Sequence, residues 1–163
     1  MRLFFPLLVT GILLNFCAAS AETSNLTGTT LCVDDESFTA DIGSLGSTSS
    51  SVAQSLYDYF VASAKAQGIP FEEMGATTCE EYPLTLNFGA TTGTPRAWSG
   101  ELNIWDLSAY ASPNTKNNYT EAVSIWRSAS YGVLASNDGL AVYLINEGKT
   151  IINSFLKDYK SAN

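Results

Sequence analysis

The sequence predicts an α+β fold. We expect a two-layer sandwich of about four mostly antiparallel strands with two helices on one face, in the order βαβββα. Three observations carry this expectation. Two long segments repeat apolar residues at helical spacing. Three others alternate apolar with polar residues, so each has one dry and one wetter side. Both helices carry a single apolar stripe, and the economical way to bury such stripes is against one face of a sheet.

Leu31 to Val33 reads as a short strand, and Phe38 to Ile42 as its continuation or a separate extended piece. Gly43 to Ser51 is rich in Gly, Ser and Thr and reads as a loop. The first helix is expected over Ser50–Gln67, where Val52, Leu56, Phe60 and Ala64 recur every fourth residue. Ser49 or Ser50 would cap its start, Gly68 would close its end, and Pro70 prevents resumption.

Leu84, Leu86 and Phe88 alternate with Thr85 and Asn87. Trp98, Gly100, Leu102 and Ile104 alternate with Ser99, Glu101 and Asn103. The segment 91–95 joins these runs as a hairpin loop. The third run starts with Val123 and Ile125 alternating with Ser124 and Trp126, and extends through Tyr131 to Leu134. Asp106 to Tyr110 reads as one capped helical turn inside the long 107–120 connection. The last helix is capped by Asn137 or Asp138 and reaches about Tyr159, with Leu140, Leu144, Ile151, Ile152, Phe155 and Tyr159 on one stripe. Gly148 lies on that stripe. A glycine there costs about 1 kcal/mol against alanine, so a close approach of helix to sheet or helix to helix is expected.

The element order resembles that of several small cell-envelope modules, such as the amino-terminal domain of the TolB translocation protein and the lipopolysaccharide-assembly lipoproteins. The likeness covers most of the chain beyond residue 21, only as an order of elements. No shared motif carries residues across, and fold alone does not imply function.

Arg2 precedes an apolar run from Leu3 to Phe16, and Ala19-Ser20-Ala21 has the form cut by signal peptidase. Residues 1–21 therefore read as a cleaved secretory signal peptide, which makes the protein secreted or periplasmic. The alternatives are an uncleaved anchor, for which the run is short, and a lipid anchor at Cys17, for which Phe16 is a poor preceding residue. Residues 22–30 read as a flexible N-terminal segment, and 31–163 as a single α+β domain. No other apolar run is long enough for a membrane span.

Removing Arg2 from eight Lys and Arg leaves seven against 16 Asp and Glu, a net charge of −9. So acidic a chain, with no basic cluster, is not expected to bind nucleic acid. Solubility is the plain reading of the acidity. The two cysteines beyond the leader, Cys32 and Cys79, read as a disulfide in an exported protein. The competing reading, a reactive or metal-binding thiol, needs a base or co-ligands, and the chain has no histidine.

That absence also excludes Ser-His-Asp, Cys-His and histidine-based zinc chemistry. No phosphate-binding glycine loop or calcium loop occurs. No cofactor, metal or catalytic residue is assigned. Three acidic clusters exist, Asp34-Asp35-Glu36, Glu72-Glu73 and Glu80-Glu81. The disulfide would bring the first and third together. Solvated loops are the plain reading, with hard-cation binding and carboxylate-pair glycoside hydrolysis as the sharper ones.

Aromatics give the candidate binding residues. If Leu102, Ile104, Val123 and Ile125 face the helices, Trp105 and Trp126 lie together on the helix-free face, unless the 107–120 loop covers them and makes both core. Trp105, Trp126 and Tyr131, with Arg96 on the hairpin loop, are the expected contact residues. Asn25-Leu26-Thr27 and Asn118-Tyr119-Thr120 match the N-glycosylation acceptor, which matters only in a eukaryotic secretory pathway.

The leading expectation is a non-enzymatic secreted or periplasmic binding or assembly module for an unknown protein or envelope component. The alternative is an extracellular carbohydrate-binding or carbohydrate-active protein using tryptophans and carboxylates. A homo-oligomer using the same patch on itself is a third reading.

Overall fold

A computed structural model describes residues 23–43, 45–73, 82–107 and 122–163. Their strands are β1 (Leu31–Val33), β2 (Phe38–Ile42), β3 (Phe71–Glu73), β4 (Leu84–Ala90), β5 (Arg96–Asp106) and β6 (Val123–Leu134). Helix α1 (Gly46–Gln67) follows β2, and α2 (Leu140–Ala162) follows β6. The main sheet has the order β2-β4-β5-β6. Its last three strands are antiparallel, while β2 and β4 run parallel. The parallel pair follows from the helix between them, because a crossover returns the chain in the same direction. Phe38–Ile42 is therefore a separate strand on the sheet edge, not an extension of Leu31–Val33.

β1 instead pairs in parallel with β3 as a two-stranded sheet. On its other side the Cys32 amide donates to the Tyr82 carbonyl at 3.0 Å, with a bridge to Pro83. Its three residues are all buried. Cys32 is disulfide-bonded; Cys17 and Cys79 lie outside the described residues.

The core fills the space between the helices and one sheet face. Phe38, Leu84, Leu86, Phe88, Trp98, Leu102 and Ile104 meet the α1 stripe of Val52, Leu56, Phe60 and Ala64 and the α2 stripe of Leu144, Ile151, Ile152 and Phe155. All are buried. Gly68 caps α1 in the left-handed region at φ 68°, where a side chain is disfavoured.

Both helix starts differ from the sequence expectation. α1 begins four residues early, at Gly46, without a side-chain cap. The Ser49 hydroxyl is turned inward, accepting the Ile42 amide at 3.0 Å and donating to the Leu45 carbonyl at 3.1 Å. α2 begins after Gly139 rather than at Asn137 or Asp138, because the Asn137 side-chain carbonyl is taken by the Arg96 guanidinium.

The segment before β1, expected to be a flexible lead, is docked in this structure. Leu26 is fully buried. The Tyr159 hydroxyl donates to the Thr29 carbonyl at 2.5 Å, and the Asn163 amide donates to the Leu26 carbonyl at 3.0 Å. Asn25, the first of the two glycosylation matches, is exposed and donates to the Ile125 carbonyl at 3.3 Å. Its polar sequence hides one apolar anchor, and the end of α2 satisfies its carbonyls. No helix among the described residues is long and apolar enough to cross a membrane.

Gly148 is the close approach that its place in the stripe implies. A β-carbon there would lie 2.5 and 2.7 Å from the Leu56 δ-carbons and 3.1 Å from the Phe88 ring. Leu56 and Phe88 are themselves buried, so they have little room to yield. Replacing Gly148 with leucine should destabilise the fold by at least about 2 kcal/mol despite leucine's better helix propensity. Urea unfolding checks this as a lower midpoint at unchanged slope.

Candidate functional site

The sheet's other face carries neither helix. Strand parity and register place Thr39 and Asp41 there from β2, and Thr85, Asn87 and Gly89 from β4. From β5 come Ala97, Ser99, Glu101, Asn103 and Trp105, and from β6 Arg127, Ala129, Tyr131 and Val133. It is mostly polar and, among the described residues, aromatic at two places.

The expected aromatic pair does not form. Trp126 is on the helix side, 2% exposed. It lies opposite Ile104 in register, packs edge-on against Phe155 at 5.0 Å between centroids, and donates its indole N–H to Asp158 at 3.2 Å. The cause is a β-bulge. Ile104 pairs with Trp126 and Trp105 with Ser124, leaving Ile125 as the extra residue. One inserted residue exchanges the faces of everything before it. Trp126 is thus core through helix packing; residues 108–121, which hold most of the loop expected to cover it, lie outside the description, as do the expected helical turn beyond Leu107 and Asn118.

Trp105 is on the helix-free face and half-buried, with its indole N–H donating to Thr85 Oγ1 at 3.2 Å. Tyr131 is also there and is 78% exposed. Tyr131 lies opposite Ser99, so the two rings are about 20 Å apart along β5 at the usual strand rise. They share a face but not a contact.

Arg96 is not a free hairpin residue. It is 3% exposed, and its guanidinium donates to the Thr91 carbonyl and Asn137 Oδ1. It ties the hairpin turn to the approach of α2. A buried cation needs such acceptors, and neither is visible as a partner in local sequence.

Between the two aromatics lies a network that sequence reading did not single out. Glu101 accepts from the Asn103 amide and pairs with Arg127. Asn103, only 2% exposed, also accepts from Ser124 at 3.4 Å. Burial raises the Glu101 carboxyl, but the hydrogen bonds from Asn103 and Arg127, with the guanidinium charge, outweigh it and hold the group below its ordinary range. The available signal was register: Glu101 and Arg127 lie two register positions apart on neighbouring strands, diagonal neighbours on one face. Beside it, Thr39 Oγ1 donates to Asn87 Oδ1 at 2.6 Å. At the hairpin end, Asp41, Gly89, Ala97 and Ser99 help line a shallow depression of about 380 Å³.

The expected meeting of the first and third acidic clusters involves Glu80 and Glu81 and lies outside the described residues. Tyr57 is raised above its usual pKa by burial first, then by Glu73, Asp35, Asp34 and Asp58. Carboxylates of the first and second clusters, Asp34, Asp35 and Glu73, thus both act on Tyr57. Among the described residues no three Cys, Asp or Glu side chains are placed to hold a metal ion.

No protein-family model matches the chain, and comparison with curated proteins gives no match.

Two predictions follow from the placement of these residues. Trp126→Ala should cost about 3–5 kcal/mol, as for other buried aromatics, whereas Trp105→Ala should cost about 1 kcal/mol; denaturant titration of the two variants measures the contrast. Glu101→Gln should destabilise the protein at neutral pH by less than about 1 kcal/mol, because the pair is partly exposed. A lowered folded-state pKa gives stability that is present above the unfolded value and lost as pH falls through the folded one. The wild-type advantage over Glu101→Gln should therefore vanish in that acid range, and unfolding series across pH test it.

Proposed function

We propose that this chain is a secreted or periplasmic, non-enzymatic binding module that docks a protein or cell-envelope component on the helix-free sheet face. One observation carries the reading. The face sets a highly exposed Tyr131 and a half-buried Trp105 at either end of a polar row. Tryptophan, tyrosine and arginine are the residues that dominate binding energy in interfaces, and here Arg127 lies between the two aromatics. A histidine-free chain also lacks the commonest acid-base group.

Export is supported by the leader-like N-terminus and by the oxidised state of Cys32. A Cys32–Cys79 bond fits the strand arrangement. β1 lies between β3, ending at Glu73, and the Tyr82–Pro83 segment. The chain that carries Cys79 thus leaves on one side of Cys32 and returns on the other.

Carbohydrate is the second reading, favoured by the row of hydroxyl, amide and carboxylate groups between the two aromatics. It rests on Trp105 and Tyr131 alone, since Trp126 is core.

The test uses the purified protein as bait in a cross-linking pull-down from native envelope or culture fluid, beside a Trp105→Ala/Tyr131→Ala variant. A captured partner should bind the variant at least about 30-fold more weakly, the loss expected of hot-spot residues, with the melting curve nearly unchanged. A partner held equally by both baits rejects this face. Retention on a glycan array, lost in the same variant, selects the carbohydrate reading.

A further inference from the structure

The main sheet ends in two unlike edges. β2 is five residues long and carries Asp41. β6 is 12 residues long and, among the described residues, pairs on one side only, with β5. A free edge presents unpaired amides and carbonyls, and monomeric proteins guard it with lysine, proline, inward-pointing charge or a covering segment. Among the described residues the covering is partial. Asn25 reaches the bulge at Ile125, but Arg127 to Leu134 extend beyond it. That stretch has no lysine and no proline, and its one charge, Arg127, is paired with Glu101.

Two further facts distinguish this edge. Residues 128–137 carry no charge, in a chain of net charge −8, and the β5 residues opposite Tyr131 and Val133 are Ser99 and Ala97. Like meets like here without electrostatic penalty, whereas most of the acidic surface repels a second copy. Exposed large apolar side chains also gather at this edge. Tyr131 is 78% exposed and Val133 69%. On the helix side, Tyr143 is 37% exposed and stands edge-on to Trp98, whose indole lies over Gly132.

We propose that β6 pairs antiparallel with β6 of a second copy about a two-fold axis at Tyr131, making a continuous eight-stranded sheet. The seam shares Tyr131 with the proposed docking face, but self-association is measured with no partner present, so it stands or falls apart from what that face binds. In this register Tyr131 meets its own counterpart, with Ala129 opposite the partner's Val133 on the helix-free side. Gly132 and the partner's Ser130 meet on the helix side. These small residues leave room for the two Tyr143 rings to approach the seam. The two Arg127 side chains lie eight residues apart along the strand, about 27 Å, well beyond the screening length at physiological salt. A two-fold contact of this kind closes on itself and does not propagate into fibres.

Sedimentation of the purified protein from about 1 to 100 μM tests the proposal, with Tyr131→Lys and Val133→Lys beside the wild type. The wild type should dimerise, and each lysine variant should self-associate at least about 100-fold more weakly, with an unchanged melting curve at concentrations too low for the wild type to pair, since both positions are exposed. Tyr131→Cys should form an intermolecular disulfide, as opposed residues at a dyad are close enough to bridge. Arg127→Cys should not. A wild type that stays monomeric, a dimer that both lysine variants leave intact, or a dimer in which Tyr131→Cys fails to bridge overturns it. A monomer whose residues 127–134 gain hydrogen-exchange protection only on adding envelope extract assigns the edge to a foreign strand, and equally overturns it.

Discussion

The packing of two aromatic rings onto two glycines organises the helix-facing side of the sheet. Phe88 lies opposite Gly100 in register, and Trp98 lies opposite Gly132. A β-carbon at Gly100 would come within 2.4 Å of the Phe88 ring, and one at Gly132 within 2.8 Å of the Trp98 indole nitrogen. Each ring thus lies flat over the neighbouring strand instead of rising into the helix layer. The rings stack on one another at 6.3 Å and 18°. Because they lie low, α2 descends until Gly148 touches Phe88 and the Leu56 side chain of α1. Large beside small, repeated across three strands and two helices, is how close packing is reached without voids. Among the described residues the arrangement leaves the buried Trp98 indole N–H without a partner. Its orphaned state is a local cost of laying the ring over Gly132.

Much of this was legible in the chain. Period-four repeats found both helices, and Gly68 marked the end of the first because only the left-handed cap satisfies the freed carbonyls there. Alternation found β4 and β5, whose inner rows are strongly apolar. It failed at β6 for a physical reason. The inner row of that strand is Trp126, Ser128, Ser130, Gly132 and Leu134, while the outer row includes Ala129, Tyr131 and Val133. Hydropathy is nearly level between the two rows, so it cannot choose a face, and the bulge at Ile125 breaks the parity that would otherwise carry the choice from Val123. Small residues belong on the inner row because Trp98 fills the space above Gly132.

The other departures share a cause: a polar side chain spent on a distant partner. Asn137 has the composition of a helix cap but accepts from Arg96, 41 positions earlier in the chain. Ser49 has the same composition and serves Ile42. The residues before β1 look solvated, yet Asn163 and Tyr159 at the far end of α2 take their carbonyls. Local sequence states what a side chain offers. Which acceptor or donor it meets depends on the tertiary arrangement, and in these three cases the partner lies in another element. Arg96 was misplaced for the same reason, since a cation next to a turn looks free until its acceptors are known.

The helix-free face is where the fold's own demands leave off. The buried apolar groups of the inner face are committed to packing, and its tryptophans stand edge-on to Tyr143 and Phe155. Nothing comparable constrains the outer rows. A face required only to be wet and extended is best made from threonine and other β-branched residues, whereas asparagine and glycine weaken a strand. Yet Asn87, Gly89 and Asn103 occupy central positions of β4 and β5, beside Glu101 and its pairing with Arg127. Sheet propensity does not account for that choice. Amide, carboxylate and guanidinium groups held in fixed register by strands are what recognition of a polar partner requires, and rigid elements hold such groups more accurately than loops do. The outer rows therefore carry the part of this sequence that folding leaves unexplained.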